Sequence, residues 1–532
     1  MPGGVPRVES VIMTGAGSGP RATGYVLAAL LLVASALRFA ALSSLPPAHY
    51  RDVAVTALDA LRAASGHPRL HYVYDEGLYA NLMGLVFLIA GVSDASVRFL
   101  GALCGVLACL GVYFLGRSLG APRAGLYGAF LLAVSLWHVV LSRSGFRAVL
   151  LPLLLPFAAG LLLDGLRRAG VRRLAVSGVL FGLCAHTYPS SRVVPLFMAI
   201  VLVAELGWKP ERWRRAGPGL LVFAALAALV AGPMLLHYAH HPEDFNNPER
   251  LVSIFSEKLA PGTAGMHLRV NLGATLSMFH LRGDGNWRHN LSGAPLLDPL
   301  TGILFLMGLG AAFLMLRGGF ERLVERPRSS AVVLLGWIVV LLVPNLLSVE
   351  GVPHGLRSCG VLPAVMLLSG FGAAILEELL APRIGRRALV SIGLLIATLM
   401  TCWTGYRYFV AWGRDPQVLA EHDGAYRAAA RALMAAPPGV ARYLVANGRG
   451  FEVYGWPAEV QPYLFEMRSS PPILLGPKDA GRLILEGRPA LVALVRSDER
   501  MLDLIRDLNP GATIRMVSDP GLSPESPVYR IN

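Results

Sequence analysis

Charged side chains are scarce in this chain and fall in short stretches between apolar runs. The first informative stretch reads PPAHYRDVAVTALDALRAASGHPRLHYVYDEGLYANL. Asp52 opens an amphipathic helix in which Val55, Leu58 and Leu61 follow at helical spacing and Gly66 marks the end. A carboxylate there has two readings: a first-turn charge favoured by the helix dipole, or a general base at a membrane surface. Asp75 and Glu76 form a second acidic pair, expected to lie in a solvated loop. In SLWHVVLSRSGFRAVLLPLLLPF, Arg143 and Arg147 are four apart and share a helix face. They read either as interfacial anchors or as a phosphate clamp, because guanidinium pairs with phosphate oxygens in a bidentate way. AHTYPSSRVVP adds His186, Tyr188 and Arg192, and EGVPHGLRSCG adds His354 and Arg357. Four arginines on one membrane face would match a lipid phosphate or pyrophosphate. GDGNWRHN places Asp284, Asn286, Trp287, Arg288, His289 and Asn290 together, either as an aromatic and hydrogen-bonding surface for a sugar or head group or as a turn-rich cover. In HYAHHPEDF, the spacing of His237, His240, His241, Glu243 and Asp244 fits no established ligand pattern. These side chains could bind a divalent metal, but the spacing favours a polar juxtamembrane segment.

These residues must be positioned by membrane helices. Of 532 residues, 54% are hydrophobic and 15% charged, against about 25% charged in soluble domains. That composition excludes a soluble enzyme, a disordered chain and a coiled coil. Eleven apolar runs read as spans: 24–43, 97–116, 122–141, 146–165, 173–188, 192–206, 217–237, 299–316, 331–349, 359–380 and 388–410. The run 77–92 is shorter and contains Asn81. If it stays outside the bilayer, the joints 117–123, 166–173, 207–216, 317–330 and 381–387 all share the side of the N-terminus. They carry seventeen Lys or Arg. The short opposite joints contribute Arg143, Arg147, Arg192 and Arg357. The positive-inside rule then gives a cytoplasmic N-terminal tail (1–23), a membrane domain (24–410) with outer loops 44–96 and 238–298, and an extracytoplasmic tail (411–532). The net charge of +14 is accounted for by these joints, and no nucleic-acid partner is expected. The five cysteines show no CxxC spacing, so neither a disulfide framework nor a zinc site is expected.

The tail alternates helical patterns (AYRAAARALMAA, DERMLDLIRDL) with short strands (ARYLVA, PALVALV, TIRMVS), which predicts a small α/β domain. It contains no GxGxxG and no Walker motif, and no cofactor is expected.

The order of four motifs carries a resemblance: PPAHYRDVAVTALDALR, LSRSGFRAVLLPLLLPF, GDGNWRHNLSGAPLLDPLTGILFLMGLG and LLSVEGVPHGLRSCGVLPA. Over about residues 24–410 the chain resembles the GT-C superfamily of polyprenyl-phosphate-dependent glycosyltransferases. Within it, the chain resembles bacterial protein O-mannosyltransferase and aminoarabinose transferase relatives (glycosyltransferase family 39). The resemblance implies an all-α polytopic fold with outer juxtamembrane helices and a C-terminal α/β domain, in a bacterial inner membrane. It implies a polyprenyl-phosphate-linked sugar as donor and a lipid, glycan or protein acceptor. It also implies Asp52 as catalytic base, Glu76 at the start of the juxtamembrane helix, and Arg147, with Arg357, at the donor phosphate, where the clamp reading adds Arg143. Val53 follows Asp52 where many relatives have Glu. Two other readings share the spans and the basic outer face: a flippase for lipid-linked sugars and a glycan-binding relative without activity.

Overall fold

The computed structural model describes residues 20–168, 170–256, 259–260, 262–321, 323–485, 488–519 and 521–532. Most of the expected N-terminal tail (1–19) and Arg322 of one basic joint lie outside these residues. Among the described residues, nine helices are long and apolar enough to cross a membrane. They include α1 (Pro20–Phe39) and, after the short α2 (Arg51–Ala64) and α3 (Gly77–Ala90), α4 (Asp94–Ser118). The expected span 122–141 is broken into α5 (Pro122–Ala133) and α6 (Leu136–Arg143), bent by 59°. Ser135 accepts from the His138 amide at the break and restarts the helix as its N-cap. Counting the pair as one span gives ten. After α7 (Leu150–Arg167) comes α8 (Val171–Cys184), at the expected span 173–188, whose helix has only 14 residues. At 1.5 Å per residue it falls short of a bilayer by length alone. The remaining spans are α9 (Val194–Leu206), which the 3-10 turn before it extends to an 18-residue run from Pro189, and α10 (Pro210–His240), α13 (Pro299–Leu316), α14 (Pro327–Leu346), α15 (Leu362–Ile384) and α16 (Arg386–Tyr406). Between α10 and α13 lie α11 (Pro242–Val252) and α12 (Ala264–Ser277). Residues 77–90 form a short apolar helix packed on α2 and α4, below spanning length.

Glycine lets the spans approach closely. A Cβ on Gly308 would sit 1.8 Å from the Leu368 carbonyl, and one on Gly370 would sit 2.1 Å from that of Ala124. Without a hydrophobic drive between helices in lipid, such close backbone contact is what packs α5, α13 and α15.

Past α16 the chain forms α17 (Pro416–Glu421), α18 (Gly424–Met434), α19 (Gln461–Glu466) and α20 (Glu499–Leu508). Strands β1 (Ala441–Val445), β4 (Ile473–Leu475), β5 (Ala490–Leu494), β6 (Ile514–Met516) and β7 (Val528–Ile531) make one sheet of order β4-β1-β5-β7-β6. Its β4-β1-β5 part is parallel and β5-β7-β6 antiparallel. β5 is buried along its whole length, as an all-apolar run requires. A separate hairpin, β2 (Glu452–Val453) with β3 (Trp456–Pro457), leaves this sheet and reaches the membrane domain.

Candidate functional site

A cavity of about 440 Å³ opens where α2, the turn before α3, the start of α7, the Tyr188–Val193 turn and the end of α14 meet. Asp52, Asp75, Arg147, Tyr188, Arg192 and Arg357 all line it. Val252, Phe255, Val343, Pro344 and Leu347 supply an apolar side. Phe451 and Val453, about 400 residues from Asp52 in sequence, close it from the β2–β3 hairpin.

Asp52 stands in the first turn of α2 without capping it: the N-cap residue is Tyr50, with no side-chain cap bond. Among the described residues, the Asp52 carboxyl has no ion-pair or hydrogen-bond partner. It is partly accessible through the cavity but lies deep in the protein. Burial, and then the neighbouring Asp75 carboxylate, raise its pKa from 3.8 to about 6; Arg288, Arg147 and Arg51 oppose the rise. The backbone of α2 is held from the far end of the chain. Asp423 accepts from the Arg51 amide at 2.8 Å, from Nε at 3.1 Å and from Nη2 at 2.7 Å. Asp423 does so from a left-handed backbone (φ 59°), which Asp tolerates better than most residues.

Asp75 and Glu76, expected in solvent, are buried. Arg147 explains it, pairing with Asp75 at 2.5 Å and Glu76 at 3.2 Å. Tyr238 also donates to Glu76 at 3.2 Å, and Thr56 to Asp75 at 3.1 Å. Arg147 is therefore a tether of the acidic pair at the cavity wall. Arg357 differs: among the described residues its guanidinium meets only neutral oxygens, Ser348 Oγ and the Glu350 carbonyl. Arg192 lies over the Phe245 ring at 4.1 Å.

Residues 78–237 match the family of dolichyl-phosphate-mannose-protein mannosyltransferases. Over its length the chain is similar to the crystal structure of ArnT from Cupriavidus metallidurans. The apo form is 14% identical, covering 96% of this chain and 98% of that one, with a TM-score of 0.56. The form bound to undecaprenyl phosphate is 15% identical with the same coverage and a TM-score of 0.52. This chain has the GT-C fold. It is also similar to the oligosaccharyltransferase of Archaeoglobus fulgidus in its apo form, at 15% identity, 93% and 69% coverage, and a TM-score of 0.51. No curated protein matches the chain in sequence.

The GT-C fold places several expected site residues away from the cavity. Arg143 is fully buried and donates to the carbonyls of Leu37, Arg38 and Leu45 at 2.7–3.3 Å, with Tyr408 beneath it. It ties α6 to the end of α1 because four-residue spacing does not survive the turn at Gly145, which separates it from Arg147. His186 bonds the Val230 carbonyl at 2.8 Å, outside the lining. The GDGNWRHN stretch is a folded loop. His289 bonds Asp284 at 2.9 Å, and Asn290 bonds the Asp284 and Ala294 carbonyls. Trp287 accepts from Trp412 through its carbonyl. His354 packs on His289, ring centroids 4.6 Å apart, and accepts from the Arg357 amide. Only Arg288 of that stretch acts toward Asp52, through its charge, from a seat 3.8 Å over the Tyr50 ring.

Among the described residues, two side-chain sets could hold a divalent metal. His71, absent from the sequence expectation, joins His237 and Asp244, with donor atoms within 4.8 Å of one another. Asp284, His289 and His354 form the other, although Asp284 is already taken by the Gly355 and Asn286 amides.

Proposed function

We propose that this protein transfers a sugar from a polyprenyl phosphate to an acceptor hydroxyl, with inversion, at the extracytoplasmic face of a bacterial inner membrane. The observation that carries the reading is the unpaired Asp52 carboxyl facing a cavity that also contains Arg357 and Arg192. Asp52, ionised above about pH 6, accepts the proton of the acceptor hydroxyl. The acceptor oxygen bonds to the anomeric carbon as the bond from that carbon to the phosphate oxygen breaks, and the electron pair leaves with the polyprenyl phosphate. Its negative charge requires cations placed before the reaction begins. Arg357, whose present partners are neutral, fits that role best, with Arg192 beside the same cavity. Arg147 holds Asp75 and Glu76 and sets the field around Asp52. The apolar wall from Val252, Phe255, Val343 and Leu347 suits the first isoprenoid units of the donor. ArnT bound to undecaprenyl phosphate supports that class of donor. No nucleotide is needed, and we infer that no cofactor is required. The N-terminus is cytoplasmic and residues 411–532 are extracytoplasmic in this reading, supported by the arginine-rich joints.

The test is product formation by purified protein from a polyprenyl-phosphate sugar and extracted envelope acceptors, followed by mass spectrometry. Transfer by the parent and its loss in Asp52→Asn are expected. A parent that moves lipid-linked sugar across vesicles without forming product would refute the reading in favour of a flippase.

A further inference from the structure

A second cavity lies at the membrane end opposite in sequence logic to the site: its walls are the basic joints. It has a volume of about 230 Å³ and is lined by the end of α7, the start of α8, the end of α9, the first turns of α10, and Arg326 before α14. Glu205 is buried at its base. Both Glu205 oxygens are taken: Arg167 donates to them at 3.1 and 3.0 Å, Arg326 pairs with Oε1, and Ser329 donates to Oε2 at 2.9 Å. Arg212 and Arg215 also line the cavity. Arg212 reaches only the Glu205 backbone carbonyl, at 3.3 Å, and Arg215 has no hydrogen-bond or ion-pair partner among the described residues. Four guanidiniums thus line the cavity with one carboxylate, Glu205, whose oxygens are already taken, while Glu325 and Asp164 act on Arg167 from outside the lining. The remaining walls, Leu166, Val171, Leu174, Leu206 and Pro218, are apolar.

The depth of this cavity is marked by tryptophan. Trp208 is 90% exposed, and Trp213, next to Arg212 in the first turn of α10, is held by its bond to the Gly207 carbonyl at 2.9 Å. Indoles with an apolar body and one polar edge favour the head-group layer of a bilayer. A cationic cup with an apolar wall at head-group depth has a matching ligand. We propose that this pocket binds the phosphate of an anionic phospholipid from the adjoining leaflet, with Arg212 and Arg215 as its ligands and the Glu205–Arg167–Arg326 cluster as its fixed floor. Basic pockets between membrane helices recognise anionic head groups in this way. The inference stands apart from the transfer reaction, because none of these residues lines the Asp52 cavity.

The experiment uses the full chain in detergent, titrated with phosphatidylglycerol, phosphatidylcholine or inorganic phosphate. Thermal unfolding and native mass spectrometry report binding. Phosphatidylglycerol should raise the melting temperature and leave one retained lipid; phosphatidylcholine and inorganic phosphate should do neither. Arg212→Gln/Arg215→Gln should weaken the phosphatidylglycerol effect by roughly thirtyfold, from about 1 kcal/mol per arginine near a lipid surface. The control Arg172→Gln/Arg214→Gln removes two exposed charges outside the lining and should weaken it less than threefold. Arg212→Lys/Arg215→Lys, which retains both charges, keeps the test valid if the Gln pair fails to fold, and should fall between the two. Equal losses in the Gln pair and the control overturn the site. Equal stabilisation by inorganic phosphate overturns the lipid assignment.

Discussion

The Asp52 carboxyl should reduce the stability of the protein it serves. Its pKa in the fold is about 6 against 3.8 ordinarily. Between those values the folded chain binds a proton that the unfolded chain has released, so stability falls as pH rises from about 4 to about 6. Above pH 6 the full cost is present. A difference of about two pH units corresponds to about 3 kcal/mol, and because the carboxyl opens onto a cavity, solvent screening lowers this to about 1–3 kcal/mol. Asn resembles the protonated acid in shape and lacks the charge. Asp52→Asn should therefore unfold at a higher temperature than the parent at pH 7, and the gain should vanish by pH 4. The same variant should lose transfer by at least about a hundredfold. Fluorescence-detected thermal unfolding at pH 4, 5.5 and 7, beside a transfer assay on the same preparations, measures both. A variant no more stable than the parent at pH 7 would refute the account of burial. Activity within a few-fold of the parent would refute Asp52 as the base.

Other outcomes follow from the same geometry. The transfer rate of the parent should fall as pH drops through about 6. In Arg147→Gln that acid limb should move to higher pH, since a nearby positive charge is lost while Asp75 stays; an unmoved limb in a pH–rate profile would exclude coupling between the two. Arg357→Gln should raise the donor KM by about ten- to a hundredfold through loss of charge-assisted hydrogen bonds, and an unchanged KM would place the phosphate elsewhere. Asp423→Ala removes three bonds to Arg51. It should lower kcat by about ten- to a hundredfold through misplacement of α2, with donor binding measured by calorimetry unchanged. A single cysteine at Ser469, which is exposed, should react with impermeant reagent on intact spheroplasts; reaction only after permeabilisation would invert the proposed topology.

The membrane character and most spans were legible because apolar runs and basic joints are local patterns, set by the bilayer rather than by packing partners. The strands at 441–446 and 489–495 were legible for a similar reason: β-branched and apolar runs between turn residues adopt extended structure wherever they pack. Asp52 was legible as a candidate because a carboxylate opening an amphipathic helix is visible in sequence. Its freedom from partners was not, since that depends on Arg51 turning away to Asp423, some 370 residues distant. Arg143 and Arg147 looked equivalent by spacing and share no environment in the fold, because the left-handed Gly145 ends one helix between them. Arg143 then meets carbonyls and Arg147 meets carboxylates. Asp75 and Glu76 looked solvated because their partner arrives from another helix. Phe451 and Val453 carried no local mark at all; a hairpin becomes a cavity wall only when the chain beyond the last span folds back over α2. Sequence determined which segments enter lipid and which residue types are costly there. Tertiary structure decided which of those charges neutralise one another and which are left facing the cavity, because pairing energies depend on distances that separate segments set together.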